Sequence, residues 1–252
     1  VLEEEIDVIL DMGVDLHCNR PVTSLTAVLD EGWDAVFIGS GAPRGKELEL
    51  PGRYETDRIH IGIDWLESVA FGHITSIEPR VLVIGVGNTA MDCCRTAKRL
   101  GGTDVKVMAR KPRAYFKASP WELEDAEEEL IEIVENHSPV RFVVEDGVLA
   151  GMEFEVLRSW EDEAGKLHQE VTGTRVIPCD AVILAIGQEQ AFPWIEDELE
   201  LERDGRGDLV VDRTTFRTTR PGRVLRRRRG VGPGEHHLGG RARAPGRDLD
   251  PP

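Results

Sequence analysis

No run in this 252-residue chain approaches the ~20 consecutive apolar residues that a membrane-spanning helix requires, so no membrane association is expected. Basic residues are also scarce, 31 Lys and Arg against 47 Asp and Glu, for a formal charge of −16. The shortage is sharper over residues 1–220, where 23 basic residues face 44 acidic ones, a net of −21. Nucleic acid, which needs a basic face, is therefore excluded as a partner of this body. Cysteine is limited to Cys18, Cys93, Cys94 and Cys179, none of them in a C-x-x-C pair. Neither a disulfide framework nor a metal or iron–sulfur site within the chain is expected, and reduced thiols point to the cytoplasm. The opening VLEEEIDVIL is too acidic for a signal peptide. It starts in mid-pattern for a helix with no cap before it, so the natural N-terminus is expected upstream.

What is present centres on RVLVIGVGNTAMDCCRTAKRLGGTDVKVMAR, Arg80–Arg110. Val81–Ile84 has the composition of a strand buried on both faces. Gly85-Val86-Gly87-Asn88-Thr89-Ala90 follows, then a helix-compatible Met91–Leu100 and a second strand, Val105–Met108. Strand, G-x-G-x-x-A turn, helix and strand within about 30 residues form a dinucleotide-binding pattern. In it Gly85 makes the tight turn, Gly87 lets a pyrophosphate approach the backbone, and Ala90 allows close helix–strand packing. The helix N-terminus supplies N–H groups and partial positive charge for the phosphates. Val86, Asn88 and Thr89 complete the turn, and the latter two either bond the pyrophosphate or cap the helix. Asp92, in the first turn, reads as structural.

Dinucleotide choice follows from the exit of the second strand. An NAD site places an acid there, about 20 residues after the motif, for the ribose 2′-OH. This chain has Arg110-Lys111, two cations suited to a 2′-phosphate, so NADP(H) is the expected cofactor. A second strand-to-Gly turn, DAVILAIG at Asp180–Gly187, places Ile186 and Gly187 where the nicotinamide half approaches the backbone. A near copy is DAVFIGSG, Asp34–Gly41. Vicinal Cys93-Cys94 read as buried thiols and His137 as a loop histidine. No catalytic triad or paired-carboxylate arrangement is found.

Elsewhere, Val1–Met12 has helical periodicity, with Gly13 to end it, and Val14–His17 reads as a short strand. Leu25–Leu29 suggests a helical turn and Ile63–Phe71 a short helix. Ser119-Pro120-Trp121-Glu122 carries a capping box with Pro at N1, predicting an acidic helix to about Glu135 whose charges form a solvated face. Val140–Val144, Leu149–Leu157 and Val171–Pro178 predict an antiparallel β-meander covering one face of the parallel sheet. Asp204-Gly205 precedes a further short strand, Leu209–Asp212.

Residues 221–252 differ, with 8 Arg, 7 Gly, 5 Pro and no aromatic. Two readings stay open. One is a disordered basic tail that binds nucleic acid or an acidic partner. The other is a one-base frameshift in GC-rich DNA: permissible codons for Val224–Arg243, read one base later, give SFGGDAAWGPENIIWAVAH.

VIGVGNTAMDCCRTAKRLG, KVMARK, FKASPWELEDAEEE and the DAVFIGSGA/DAVILAIGQ pair resemble the small subunit of NADPH-dependent glutamate synthase. They are similar too to its relatives in the pyridine nucleotide-disulfide oxidoreductase superfamily, including the NADPH/FAD part of dihydropyrimidine dehydrogenase. The resemblance covers about Val1–Arg220. It implies an α/β fold in which a Rossmann-like NAD(P)-binding domain, with parallel sheet and β-meander, is inserted in a partial FAD-binding domain. The implied division is 1–78 for a first FAD segment and 79–188 for the NAD(P) domain. Residues 189–220 return to the FAD domain, and 221–252 are a disordered tail, for which both the basic-tail and the frameshift readings stay open. Gly39 and Gly41 would serve the flavin by resemblance. The FAD site would be incomplete, because its Gly motif lies upstream and its G-G-D signature falls at Arg226–Arg229, where the shifted peptide restores it. The implied activity is hydride transfer from NADPH to FAD, with electrons passing to an iron–sulfur or large-subunit partner. The alternative is a non-catalytic NADP(H)-binding adaptor with a basic tail.

Overall fold

The computed structural model describes residues 2–205, 207–219 and 224–226, the last three by backbone alone. In chain order the helices are α1 (Leu2–Leu10), α2 (Leu25–Asp30), α3 (Gly62–Ala70), α4 (Asn88–Arg99) and α5 (Pro120–Glu128). The first strands are β1 (Val36–Ile38), β2 (Arg44–Gly45), β3 (Ile59–Ile61), β4 (Arg80–Ile84), β5 (Asp104–Met108) and β6 (Glu132–Val134). They are followed by β7 (His137–Glu145), β8 (Val148–Glu161), β9 (Leu167–Pro178), β10 (Ala181–Leu184), β11 (Gln188–Glu189) and β12 (Val224–Arg226). The described parts of 1–41 and 190–228 make one compact unit, and Ala42–Glu189 the other.

The larger unit is built on a parallel sheet of order β3-β10-β4-β5-β6. Its central strands carry apolar side chains on both faces, which is why their sequences run without polar alternation. Val81, Val83, Val105, Val107 and Ile183 pack with Met91, Cys93, Cys94 and Ala97 of α4 and Trp65 of α3. Their neighbours Leu82, Ile84, Met108, Val182 and Leu184 pack on the other side with Phe142, Leu149, Met152, Phe154 and Ile177 of the β7-β8-β9 meander. Period-two alternation thus sends one set to the helices and the other to the meander. At the N-terminal edge of the sheet, Arg80 and Asp180 latch β4 to β10: the Arg80 N–H donates to Asp180 at 3.1 Å and the Asp180 N–H to the Arg80 carbonyl at 2.8 Å. The guanidinium beside Asp180 holds that carboxyl below its usual range.

Several local expectations shift. The expected boundary near residue 78 falls inside this unit, because β3 pairs with β10 and brings residues 42–78 onto the sheet. α5 ends at Glu128 rather than near Glu135: Leu130 turns left-handed at φ +60°, and Glu132-Ile133-Val134 become the edge strand β6. Two β-branched residues in that stretch favour the strand. Pro120 takes N1 as expected, yet Ser119 makes no side-chain cap bond to α5. His137 starts β7 and is buried, where a loop residue was expected.

In the smaller unit Leu25, Ile38, Phe192, Ile195, Leu201 and Leu209 form a core. The Ser24 hydroxyl accepts from the Ala27 N–H at 3.0 Å to cap α2, and Glu196 accepts from the Leu25 and Thr26 N–H groups. A carboxylate at that end suits the helix dipole. Val14–His17 is not a strand; Val14 and Leu16 are exposed and have no ladder partner among the described residues. Leu209–Asp212 is reduced to isolated bridges, Arg203 with Leu209 and Val211 with Thr218. Within the segment expected to be disordered, the backbone of Val224–Arg226 pairs in parallel with β1. The rest of that segment, including Arg227–Arg229 of the expected flavin signature, lies outside the described residues. Among the described residues no helix is long and apolar enough to cross a membrane.

Candidate functional site

The chain leaves β4 for β5 and β6 on one side, then returns after the meander to β10 on the other side of β4. The carboxyl ends of β4 and β10 lie at this reversal of strand order, the position at which doubly wound sheets take ligands. Both strands break there into glycine-containing turns, Gly85-Val86-Gly87 and Ala185-Ile186-Gly187. They are tied together by the Ala185 N–H donating to the Ile84 carbonyl at 2.8 Å. The structure therefore brings the two predicted turns side by side, although 100 residues separate Gly85 from Ala185.

The two glycines of the first turn do different things. Gly85 sits at φ +124°, and a Cβ there would lie 2.3 Å from the Ala185 carbonyl oxygen, so the fold itself requires glycine. Gly87 has φ −105°, open to any residue, and a Cβ there would meet nothing within 4 Å. No protein atom demands a glycine at 87. The space beside it is open, and a side chain would fill space that a ligand could use. Ala90, in the first turn of α4, is fully buried, as the motif predicts.

Gly87 is the N-cap of α4, and the Ala90 and Met91 N–H groups are the first to turn back on its carbonyl, at 2.9 and 3.2 Å. The Asn88 and Thr89 N–H groups therefore precede the helical ladder, at the end of a helix where N–H groups are open to an anion. The Asn88 side chain does something the sequence reading did not include. Its carbonyl oxygen accepts from the Ser119 N–H at 2.9 Å and its amide donates to the Ser119 hydroxyl at 3.3 Å. That bond explains why Ser119 does not cap α5. The Lys117 and Ala118 N–H groups both donate to the Val86 carbonyl at 3.0 Å. Residues 117–119 are thus pinned across the glycine turn, which brings Lys117, a residue the motif does not flag, beside it.

Arg110 and Lys111 lie at the exit of β5. Ala109 before them is locked by its N–H to the Val134 carbonyl at 2.8 Å and by its carbonyl accepting from His137 at 2.9 Å. Arg110 is exposed, and among the described residues neither cation has a carboxylate partner. Lys111 Nζ stands 5.5 Å from the centre of the Tyr115 ring. Both charges are available in a body whose charge is otherwise strongly negative.

The thiols take no part. Cys93 and Cys94 are fully buried on α4, and the Cys93 thiol points to the Gly62 carbonyl at 3.7 Å. Burial raises the Cys93 pKa and pushes Cys94 and Cys179 up to about 12. His137 Nδ1 is 2.7 Å from the Glu135 carbonyl and its ring packs edge-on to Phe154, so it is a core residue. Gly39 and Gly41 belong to the smaller unit, just after β1, and a Cβ at Gly41 would meet nothing within 4 Å.

A parallel sheet with helices on one face, a meander on the other and two glycine turns at the strand-order reversal defines a Rossmann-like unit of the kind found in FAD/NAD(P) reductases. The chain belongs to the pyridine nucleotide-disulphide oxidoreductase family, whose model matches residues 2–222. It is 32% identical over 210 residues to the NADPH-Fe(3+) oxidoreductase subunit beta of Geobacter sulfurreducens, covering 80% of this chain and 31% of that protein. It is 32% identical over 230 residues to the NADP(+)-dependent formate dehydrogenase subunit beta of Moorella thermoacetica, covering 88% and 32%. To the glutamate synthase [NADPH] small chain of Halomonas elongata it is 33% identical over 218 residues, covering 81% and 45%. These relatives bear out the resemblance read from the motifs. The chain spans less than half the length of each of them. Among solved structures, FprA of Mycobacterium tuberculosis in complex with NADPH shares the fold at a TM-score of 0.64 and 16% identity, covering 82% of this chain and 61% of that one. Thioredoxin reductase of T. acidophilum does so at 0.57 and 19%, covering 76% and 56%.

Proposed function

We propose that Ala42–Glu189 is the NADPH-binding unit of a flavin-dependent oxidoreductase of the glutamate synthase small-subunit type. In the whole protein, NADPH supplies a hydride to FAD and the electrons pass on to an iron–sulfur partner subunit. The observation that carries this reading is the open space at Gly87, a glycine that the fold does not need, at the N-terminus of α4. The relatives' names, each with NADPH or NADP(+), support the choice of dinucleotide.

The roles follow from position. Gly85 shapes the turn, and Gly87 with the Asn88 and Thr89 N–H groups receives the pyrophosphate. Val86 anchors Lys117 and Ala118 through its carbonyl, and Ala90 lets α4 pack close. Arg110 grips the 2′-phosphate by its planar fork and Lys111 adds a point charge. Ile186 and Gly187 line the nicotinamide end. Gly39 and Gly41 serve the flavin in the smaller unit. No side chain needs to act as acid or base, because in this chemistry the protein contributes positioning and electrostatics.

The test is the fate of a flavin. Purified protein supplied with FAD is mixed with NADPH under anaerobic conditions and the flavin absorbance is followed. A bound flavin that bleaches on NADPH addition supports the enzyme. Protein that binds NADPH but never takes up flavin supports a non-catalytic adaptor instead.

A further inference from the structure

We infer that the outer end of the β8–β9 hairpin supports the basic turn at Arg110-Lys111, and that Gln169 is the positioning residue which sets its preference for a 2′-phosphate. This rests on the proposed role of that turn. Gln169 and Ser159 are direct cross-strand partners near the end of the hairpin. The Gln169 amide donates to the Arg110 carbonyl at 2.7 Å and to the Ser159 hydroxyl at 3.0 Å. Ser159 in turn donates to the Asn136 side-chain oxygen at 2.6 Å. Asn136 is itself fixed, because its carbonyl accepts from the Leu157 N–H at 2.8 Å. The relay therefore runs from rigid meander backbone to the backbone of Arg110.

Two residues along β8 from Ser159, and so on the same face, Glu161 accepts from the Tyr115 hydroxyl at 2.6 Å. That phenol ring is the one beside Lys111. One hairpin face thus holds Arg110 by its main chain and Lys111 through the ring next to it. Ala109 is already locked by ladder-like bonds to Val134 and His137, so Arg110 is the first residue whose course depends on a side chain. A guanidinium can make a bidentate contact to phosphate only if its backbone presents the fork at the right angle. Gln169 touches neither charge, yet it fixes where the turn points.

The test compares dissociation constants for NADPH and NADH in the wild type, Gln169→Met, Ser159→Ala and the double variant Arg110→Ala with Lys111→Ala. Gln169→Met keeps the side-chain length and removes the donor. Losing one such hydrogen bond should weaken NADPH binding about fivefold to tenfold, with NADH unchanged and the melting temperature preserved. Ser159→Ala, which cuts the relay one residue further from the turn, should give a smaller loss in the same direction, and carries the test if Gln169→Met does not fold. If the double variant loses the preference for NADPH but neither relay variant does, or if the relay variants weaken both nucleotides equally, this inference is overturned while the site stands. If the double variant itself loses no selectivity, the reading of the basic turn fails and the inference falls with it.

Discussion

Gly85 and Gly87 stand two residues apart in one turn, and replacing each by alanine should separate folding from binding. At Gly87 the backbone is at φ −105° and an added methyl meets no protein atom. The unfolded chain loses freedom on Gly→Ala, a gain of about 0.4–1 kcal/mol in stability. Alanine is a poorer N-cap than glycine by roughly 0.5–1 kcal/mol, so the two terms nearly cancel. Gly87→Ala should therefore melt within a few degrees of the wild type. Its methyl would occupy the space through which a pyrophosphate approaches, and an intrusion of that size costs about 1–3 kcal/mol, or roughly fivefold to more than a hundredfold in NADPH affinity. Gly85→Ala is the opposite case. Forcing alanine to φ +124° costs about 1–3 kcal/mol before its methyl meets the Ala185 carbonyl oxygen 2.3 Å away. At least about 3 kcal/mol in total corresponds to a fall of roughly 6–12 °C in melting temperature for a domain of this size. Differential scanning calorimetry and fluorescence titration with NADPH read the two effects. A Gly87→Ala protein that is stable and binds NADPH normally would refute the placement of the pyrophosphate. One that melts as low as Gly85→Ala would refute the argument from open space.

Other outcomes follow from the core and its titrating groups. Phe154, fully buried between meander and sheet, should cost about 3–5 kcal/mol when changed to alanine, measured by urea unfolding; a cost below 1 kcal/mol would mean that the meander does not cover the sheet. Iodoacetamide should label native protein at Cys18 alone, with Cys93, Cys94 and Cys179 reacting only after denaturation; mass spectrometry showing rapid native labelling at Cys93-Cys94 would contradict their burial. His60, on β3, has its pKa lowered chiefly by burial. Its neutral form is the one the fold favours, so its contribution is intact above the unfolded value near 6.5 and is lost as pH falls through the lower folded value. His60→Gln should flatten that part of the stability–pH curve; an unchanged slope would assign it to other groups.

Much of the larger unit was legible because its local and tertiary demands coincide. Val81–Ile84 and Ala181–Leu184 are apolar without alternation since both faces are covered, and the glycine turns follow where the strands must end. The meander was visible from its three strand-like runs and from Asp146-Gly147, which takes up the left-handed turn that the pair favours. What the sequence hid depends on partners far along the chain. Ser119 followed by Glu122 has the form of a capping box, but Asn88 competes for the serine from 31 residues away. The helix after it looked longer because glutamates favour helix, while Ile131, Ile133 and Val134 favour the sheet edge that β5 offers. Gln169 gave no signal at all, since a glutamine in a strand becomes informative only when the Arg110 carbonyl is found beside it. In the smaller unit Val14–His17 had strand composition without a neighbour to pair with among the described residues.

The central claim is that the glycine turn at Gly85–Gly87 and the cations Arg110 and Lys111 take NADPH in preference to NADH. Isothermal titration of both nucleotides into one preparation of this chain measures it directly. The account predicts NADPH bound at least about tenfold more tightly, since a charge-assisted contact to the extra phosphate is worth about 1.5–3 kcal/mol. The preference should disappear when Arg110 and Lys111 are both replaced by alanine. Equal affinity for the two nucleotides in the unaltered chain would contradict it.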